Sequence, residues 1–377
     1  MLQALPRRLA RWLLPAVVLI YVVLATLYAV YTPAWQAPDE PAHYNYIRYL
    51  AEQHRFPILK PGDYPGAYLE EIKNAHFPPE MSVEPIRYEF HQPPFYYLLA
   101  VPIYGLFGGA LLPLRLFSVV LGALLLVAAD WTVQALAPGK PFLALGVTAF
   151  VAFLPMHLAM SAAVNNDILS ELLLTLALLL SIRYLKAGPG QGARLLALLA
   201  VTTGLGLVTK SSLYILLPLV LAAIAARHLW LAGDEASPPR GLKEAGLYLL
   251  LSAGLALPWW LRNLAIYGGL DFLGLGRHDQ VVAGQLRTSE LVAQVGLPRL
   301  LSSFVQTTFQ SFWGQFGWMG VLLDQRLYQA LAIVSFLAAA GFGLRFAGLW
   351  RQRRRLPRWQ WLAAGLLALW ALMTLAS

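Results

Sequence analysis

The sequence predicts an all-α, polytopic membrane protein with about nine transmembrane helices and interfacial helices in a long first loop. Three observations carry that reading. Hydrophobic residues make up 58% of the 377 and charged residues 12%, where a soluble domain carries about 25% charge. Continuous apolar runs of about 20 residues recur from end to end, each long enough to cross a bilayer as a helix and none alternating as barrel strands do. The cations gather in short segments between the runs, as orientation in a membrane requires. The net charge of +9 is thus a topological signal and not a nucleic-acid footprint. The absence of cysteine excludes disulfides, thiolate metal sites and a cysteine nucleophile.

The first run, Trp12 to Tyr31, is longer than the apolar core of a signal peptide and no A-x-A-like site follows it, so it is read as a retained span. Arg7, Arg8 and Arg11 precede it, which puts the N-terminus in the cytoplasm and the next loop outside. That extracytoplasmic loop runs over 32–114. Within it, Pro41 to Glu52 has apolar and aromatic residues at helical spacing and reads as an amphipathic helix lying on the membrane. The apolar stretch Pro93 to Gly108 decides the topology. If it crosses, Arg183, Lys186, Arg194 and the cluster Arg351, Arg353, Arg354, Arg355 all fall outside. If it lies in the outer interface, all become cytoplasmic. Phe95, Tyr96, Tyr97 and Tyr104 suit the interface, and the stretch is read as interfacial or re-entrant.

A six-span core over 115–263 follows, with crossings at 115–136, 141–157, 168–186, 194–209, 212–230 and 244–263. The polar, proline-bearing loop Gly233 to Arg240 falls on the cytoplasmic side. A second large extracytoplasmic loop covers 264–325, and two C-terminal spans (326–346 and 359–376) complete a single integral domain, 1–377. The last apolar run has no polar tail, an ending expected of a fragment. The expected location is the inner (plasma) membrane.

This topology gathers the unusual polar residues on the outer face. Pro38-Asp39-Glu40-Pro41-Ala42-His43 sets two carboxylates and a histidine just beyond the first span, and ionisable groups near a bilayer mark functional candidates. The same placement would serve as a helix cap, favoured by the dipole and by Pro41 in the first turn. His91-Gln92-Pro93-Pro94-Phe95-Tyr96-Tyr97 opens the interfacial stretch. Asn165-Asn166-Asp167 lies at the outer end of a span, and Glu171 shares a helix face with Asp167. Lys210 sits between two apolar runs, and Arg262-Asn263 follows Pro258-Trp259-Trp260. Each cation alone reads as snorkelling to headgroups. Together, on the face that carries the acids, they suit an anionic lipid phosphate beside a general base. Arg277, His278 and Asp279 lie in the second outer loop, with the aromatic run Phe309 to Trp318 as an interface belt or a sugar platform. Asp39, Glu40, Asp167 and His91 have the donor types for a divalent metal, though the spacing does not require one.

An acidic pair in the first outer loop, then a His-(x)-Pro-Pro-aromatic segment, resembles the GT-C glycosyltransferases, among them the protein O-mannosyltransferases and aminoarabinose transferases. The acid at the second outer loop, Gly206-Leu207-Val208-Thr209-Lys210 and Pro258-Trp259-Trp260-Leu261-Arg262-Asn263 fit the same pattern. Ser311-Phe312-Trp313-Gly314-Gln315-Phe316-Gly317-Trp318 is similar to a bacterial, cell-envelope branch of multi-span members. Gln92 is inserted where relatives often read His-Pro-Pro. The resemblance implies a transferase that moves a sugar from a polyprenyl-phosphate donor to an acceptor hydroxyl of a lipid, glycan or protein on the outer face, with inversion. It assigns Asp39 as general base with Glu40 beside it, and Lys210 and Arg262 to the donor phosphate. His43, His91, Asp167 and Glu171 become acceptor-side or supporting groups. A lipid-linked-sugar flippase or a non-catalytic lipid-binding subunit is the alternative. Transporters hold their ionisable groups near the midplane on broken helices, whereas these acids cluster at span ends and in loops.

Overall fold

The computed structural model describes residues 4–188, 190–231, 238–284, 288–351 and 357–376. The side chains of Arg7, Arg8 and Arg11, the loop at 233–237, and Arg353, Arg354 and Arg355 lie outside that description. The first loop carries α2 (Glu40–Gln53), α3 (Gly66–Asn74) and α4 (Phe95–Leu106) after α1 (Ala4–Tyr31). The core follows as α5 (Leu111–Leu136), α6 (Pro141–Phe153), α7 (Pro155–Ser161), α8 (Asp167–Lys186), α9 (Gly192–Leu207), α10 (Leu216–Ala226) and α11 (Pro238–Tyr267). Then come α12 (Leu275–Val281), α13 (Thr288–Val295), α14 (Leu297–Trp313), a hairpin of β1 (Gln315–Phe316) and β2 (Val321–Leu322), α15 (Gln325–Arg351) and α16 (Arg358–Ala376). The hairpin is antiparallel, with Gln315 opposite Leu322.

The chain is an all-α polytopic membrane protein. Among the described residues, six helical segments are long and apolar enough to cross a bilayer: Trp12–Tyr31, Leu111–Leu136, Asp167–Lys186, Ser211–Leu231, Pro239–Tyr267 and Gln325–Gly348. The expected single span 141–157 is instead broken between α6 and α7, bent by 65°. Pro155 has no N–H to continue the α6 ladder, so the chain turns there. Taken as one crossing, the pair makes seven. The segment 264–325, read from the sequence only as a large loop, contains three helices and the small hairpin.

Packing follows from small residues and from one apolar seam. α8 is the most enclosed span, set between α5, α9 and α10. Gly122 lets α1 lie close on α5: a side chain there would strike the Tyr21 hydroxyl, which donates to Ser161 Oγ at 2.8 Å. Gly204 does the same for α9 on α11, where an added Cβ would stand 2.6 Å from Leu255.

The first loop is not a layer spread on lipid. Glu40, His43, Asn45, Tyr46, Ile47 and Leu50 of α2 are buried, and the Tyr46 ring stacks on Tyr97 of α4 with centroids 3.8 Å apart. The apolar face read as membrane-facing is covered by protein. α4 does not cross the bundle. Its first residue donates to Val208 O at the end of α9, and α5 begins beside the outer end of α1, where Arg115 binds the carbonyls of Ala29, Thr32 and Pro33. Both ends of α4 therefore lie at the same end of the bundle.

Candidate active site

Four chain segments meet at that end: the start of α2, the 3₁₀ turn Tyr88–His91, the turn before α8, and the Thr209-Lys210 turn after α9. Asp39 is the N-cap of α2 but makes no side-chain cap bond. Its backbone is left-handed, φ 62°, a region that Asp and Asn tolerate better than other non-glycine residues. That turn points the half-buried carboxylate at Tyr88, whose hydroxyl donates to Asp39 Oδ1 at 2.5 Å. Burial, then Asp39 itself, push the Tyr88 phenol far up, so it remains a donor.

Glu40, next in sequence, does something different. It is completely buried. Arg115 Nε donates to its Oε1 at 2.8 Å and Nη2 to its Oε2 at 2.6 Å. The Val164 and Trp35 amides supply two more bonds, each 3.1 Å. With the three carbonyls at the end of α1, all of the guanidinium's donors are used. The pair ties the ends of α1, α2, α5 and the turn before α8 together, and Glu40 has no oxygen left over for a substrate. The carboxylate is engaged in anchoring these elements.

Lys210 Nζ is paired with Asp167 Oδ1. The Asp167 turn is held by Asn165 Oδ1, which accepts from the Asp167 amide at 3.0 Å, and by Asn166, whose Nδ2 donates to Thr209 O at 3.1 Å. Asn166 thus pins the two turns that carry the ion pair. Glu171 faces His157 at 3.6 Å, and a cavity of about 280 Å³ is lined by both, by Asp167 and by Asn165. Met156 and Met160 are shared between that cavity and a larger groove of about 850 Å³ running past Tyr28, Tyr31, Gln36, Pro38 and Phe316.

His43 is buried and its Nδ1 lies 2.8 Å from the Tyr97 hydroxyl. Burial holds it at about 4, well below the usual imidazole value. His91 is buried too, its Nδ1 3.0 Å from Tyr88 O and its ring 4.4 Å from that of His278. Burial, then His278, bring it to about 3. Both imidazoles are therefore neutral near pH 7. Glu89, two residues before His91 on the same 3₁₀ turn, is one the sequence reading passed over. It is buried, with Oε2 lacking a hydrogen-bond partner, and burial, then Asp39, push it up to about 8. Asp39, Lys210 and Asp167 all act electrostatically on both Glu89 and His43.

The raised Glu89 value makes a prediction. The fold binds its proton to about 8 and the unfolded chain only to about 4.5, so Glu89 contributes stability below the lower value that is lost as pH rises through the upper one. Thermal unfolding from about pH 5 to about pH 9 should show wild type losing stability relative to Glu89→Gln as pH rises. Parallel curves would remove the raised value.

Arg262 has its own set of protein partners. It donates to Asn263 Oδ1 and to the carbonyls of Phe56 and Pro57, and it lies over Trp259 at 4.5 Å. It clamps the first loop to α11. The aromatic run is also engaged: Trp318 stacks on Phe77 and its Nε1 donates to Trp35 O at 2.9 Å, closing the second outer loop on the first. Among the described residues, no group of three or more His, Asp or Glu could hold a metal ion.

An acid at a span end, a lysine–aspartate pair and a buried His-Gln-Pro-Pro segment thus form one cluster. The sequence profile of the dolichyl-phosphate-mannose-protein mannosyltransferases matches residues 76–271. The chain belongs to this family. It is a membrane glycosyltransferase of the GT-C type. In this mannosyltransferase family member the match takes in Glu89, His91, Asp167, Glu171, Lys210 and Arg262. Asp39, Glu40 and His43 precede it. No curated protein and no solved structure matches the chain significantly.

Arg115, Tyr88 and Glu89 are the residues that sequence reasoning missed. A lone arginine near the start of the apolar run Leu111 to Leu136 needs a partner, and that signal was there to use. Glu89 stands between Tyr88 and Phe90, an acid enclosed by aromatics, just before the motif that drew attention.

Proposed function

We propose that this glycosyltransferase moves a sugar from a polyprenyl-phosphate donor to an acceptor hydroxyl at the extracytoplasmic face, inverting the anomeric centre. The observation that carries the reading is Asp39: a partly open carboxylate, aimed by a left-handed turn, with one oxygen taken by Tyr88. The second oxygen accepts the acceptor's proton as its hydroxyl attacks the anomeric carbon. The bond from that carbon to the phosphate oxygen breaks, and polyprenyl phosphate leaves. A carboxylate beside the oxocarbenium-like transition state also stabilises it electrostatically. Lys210, held by Asp167, offsets the charge that grows on the leaving phosphate. The groove past Tyr28, Tyr31 and Phe316 has room for part of the prenyl chain. Glu40 and Arg262 are positioning residues in this scheme. In the membrane, α9, α16 and the α6–α7 pair complete about nine crossings. The N-terminus then lies in the cytoplasm and the cluster outside the inner membrane.

The test is release of polyprenyl phosphate by purified protein from a panel of polyprenyl-phosphate sugars, with the anomeric configuration of the product read by NMR. Inverted product supports the single displacement; retained configuration would overturn it. Lys210→Met should lower kcat/KM about 10- to 100-fold, the worth of a charge-assisted hydrogen bond, and Lys210→Arg should recover part of the loss. Unchanged kcat/KM in Lys210→Met would remove Lys210 from the phosphate.

A further inference from the structure

The opposite end of the bundle carries a second groove, of about 860 Å³, between the last turns of α5 and α8 and the first turns of α9. Its polar rim is Arg183, Lys186 and Arg194, with Gln134 beside them, and no carboxylate lines it. The cations differ in how they are held. Lys186 Nζ donates to Ala135 O at 2.9 Å and lies 4.4 Å from the centre of the Trp359 ring, so its position is set by protein. Arg183 and Arg194 are exposed and, among the described residues, have no ion-pair partner. Of the neighbouring acids among the described residues, Asp130 accepts from Gln134 Nε2, and Glu244 is engaged by Tyr184, His228 and Arg240.

The wall of the groove is apolar and faces the bilayer. Trp131 is 48% exposed and Leu198 44% exposed, the first on the candidate span Leu111–Leu136 and the second on the shorter apolar helix α9. The volume falls within the range of about 300–1,000 Å³ typical of small-molecule sites. A groove that joins three cations to a lipid-facing apolar wall matches a ligand that is anionic at one end and hydrocarbon at the other.

We propose that this groove binds an anionic phospholipid of the leaflet away from the candidate active site. The phosphate would lie between Arg183 and Arg194, with Lys186 as a fixed third cation, and an acyl chain along Trp131 and Leu198. A free phosphate would leave the apolar wall of Trp131, Leu195 and Leu198 unused.

The experiment measures binding of a fluorescent phosphatidylglycerol to purified full-length protein in phosphatidylcholine nanodiscs. Wild type should bind it saturably, and unlabelled phosphatidylglycerol should compete where phosphatidylcholine does not. Arg183→Gln/Arg194→Gln should weaken binding about 30-fold, since each of the two cations near an anionic lipid contributes about fivefold. Lys140→Gln, which removes an exposed cation outside the groove at the same end, should leave binding unchanged. Equal loss in Lys140→Gln, or none in the double variant, would overturn the site. Inorganic phosphate that displaces the lipid at equal concentration would make the occupant a free anion. Polyprenyl phosphate that binds more than about tenfold tighter than phosphatidylglycerol would make it the carrier lipid, and either result overturns the phospholipid assignment. Both arginines are surface groups at the far end from Asp39, so polyprenyl phosphate release by the double variant in detergent should match wild type.

Discussion

Asp39→Asn should lower kcat by about 10²- to 10⁴-fold, the usual worth of a positioned general base, with the protein folded and able to bind donor. The substitution is a clean probe because of the backbone it sits on. Asp39 has φ 62°, and Asn adopts that conformation at least as readily as Asp, whereas Ala would add strain unrelated to chemistry. Asn also keeps an oxygen to accept from Tyr88. What it loses is the charge and the ability to take a proton. Turnover should fall while the thermal unfolding midpoint and donor affinity hold. A variant that is folded and fully active would take Asp39 out of the base role and leave the assignment to another carboxylate in the cluster. Glu89 is the next to test, through its pH dependence.

The membrane architecture was the most legible part of the chain. Apolar runs are set by the thickness of the hydrocarbon layer, so composition alone locates most of the long helices. What it handles poorly is a span that changes direction. Pro155 lies inside an unbroken apolar stretch, and a hydropathy window does not register the missing N–H that splits α6 from α7. α2 illustrates the other limit. Helical spacing of Tyr46, Ile47 and Leu50 shows that one face is buried, but not against what. Lipid was the expected cover, and α4 supplies it instead.

The candidate site was legible as a set of segments rather than as a set of roles. Asp39, His43, His91, Asp167 and Lys210 were each picked out from separate places in the chain, and the fold brings their segments together. Adjacency in sequence was the misleading signal. Asp39 and Glu40 look like one acidic pair, yet at the helix entry one side chain is half-buried against Tyr88 and the other reaches the buried junction with Arg115. Arg262 is a second case. A cation at a span end carries no information about its partner, and the carbonyls of Phe56 and Pro57 that hold it come from a distant loop. The chemistry of Glu89 arises from burial, which a single sequence does not display.

Arg115→Ala should destabilise the protein by about 3–5 kcal/mol, the cost of leaving a buried charge unpaired. The side chain serves more than Glu40. It also satisfies the carbonyls of Ala29, Thr32 and Pro33, where α1 ends and the chain turns towards Asp39. Its loss would strand the carboxylate and free the end of α1 together. Glu40→Gln is the milder counterpart: it keeps the shape and one acceptor oxygen, but it sets an amide NH2 against N–H donors and leaves the guanidinium's charge without a partner. Combining Glu40→Leu with Arg115→Met should recover part of what either single change loses, because the two charges depart together. Unfolding in detergent, read beside turnover of the folded fraction, separates anchoring from chemistry. An anchoring Glu40 makes Glu40→Gln less stable, with the turnover of its folded fraction within about tenfold of wild type, well short of the loss of a base. A Glu40→Gln protein as stable as wild type but as slow as Asp39→Asn would return Glu40 to the reacting atoms.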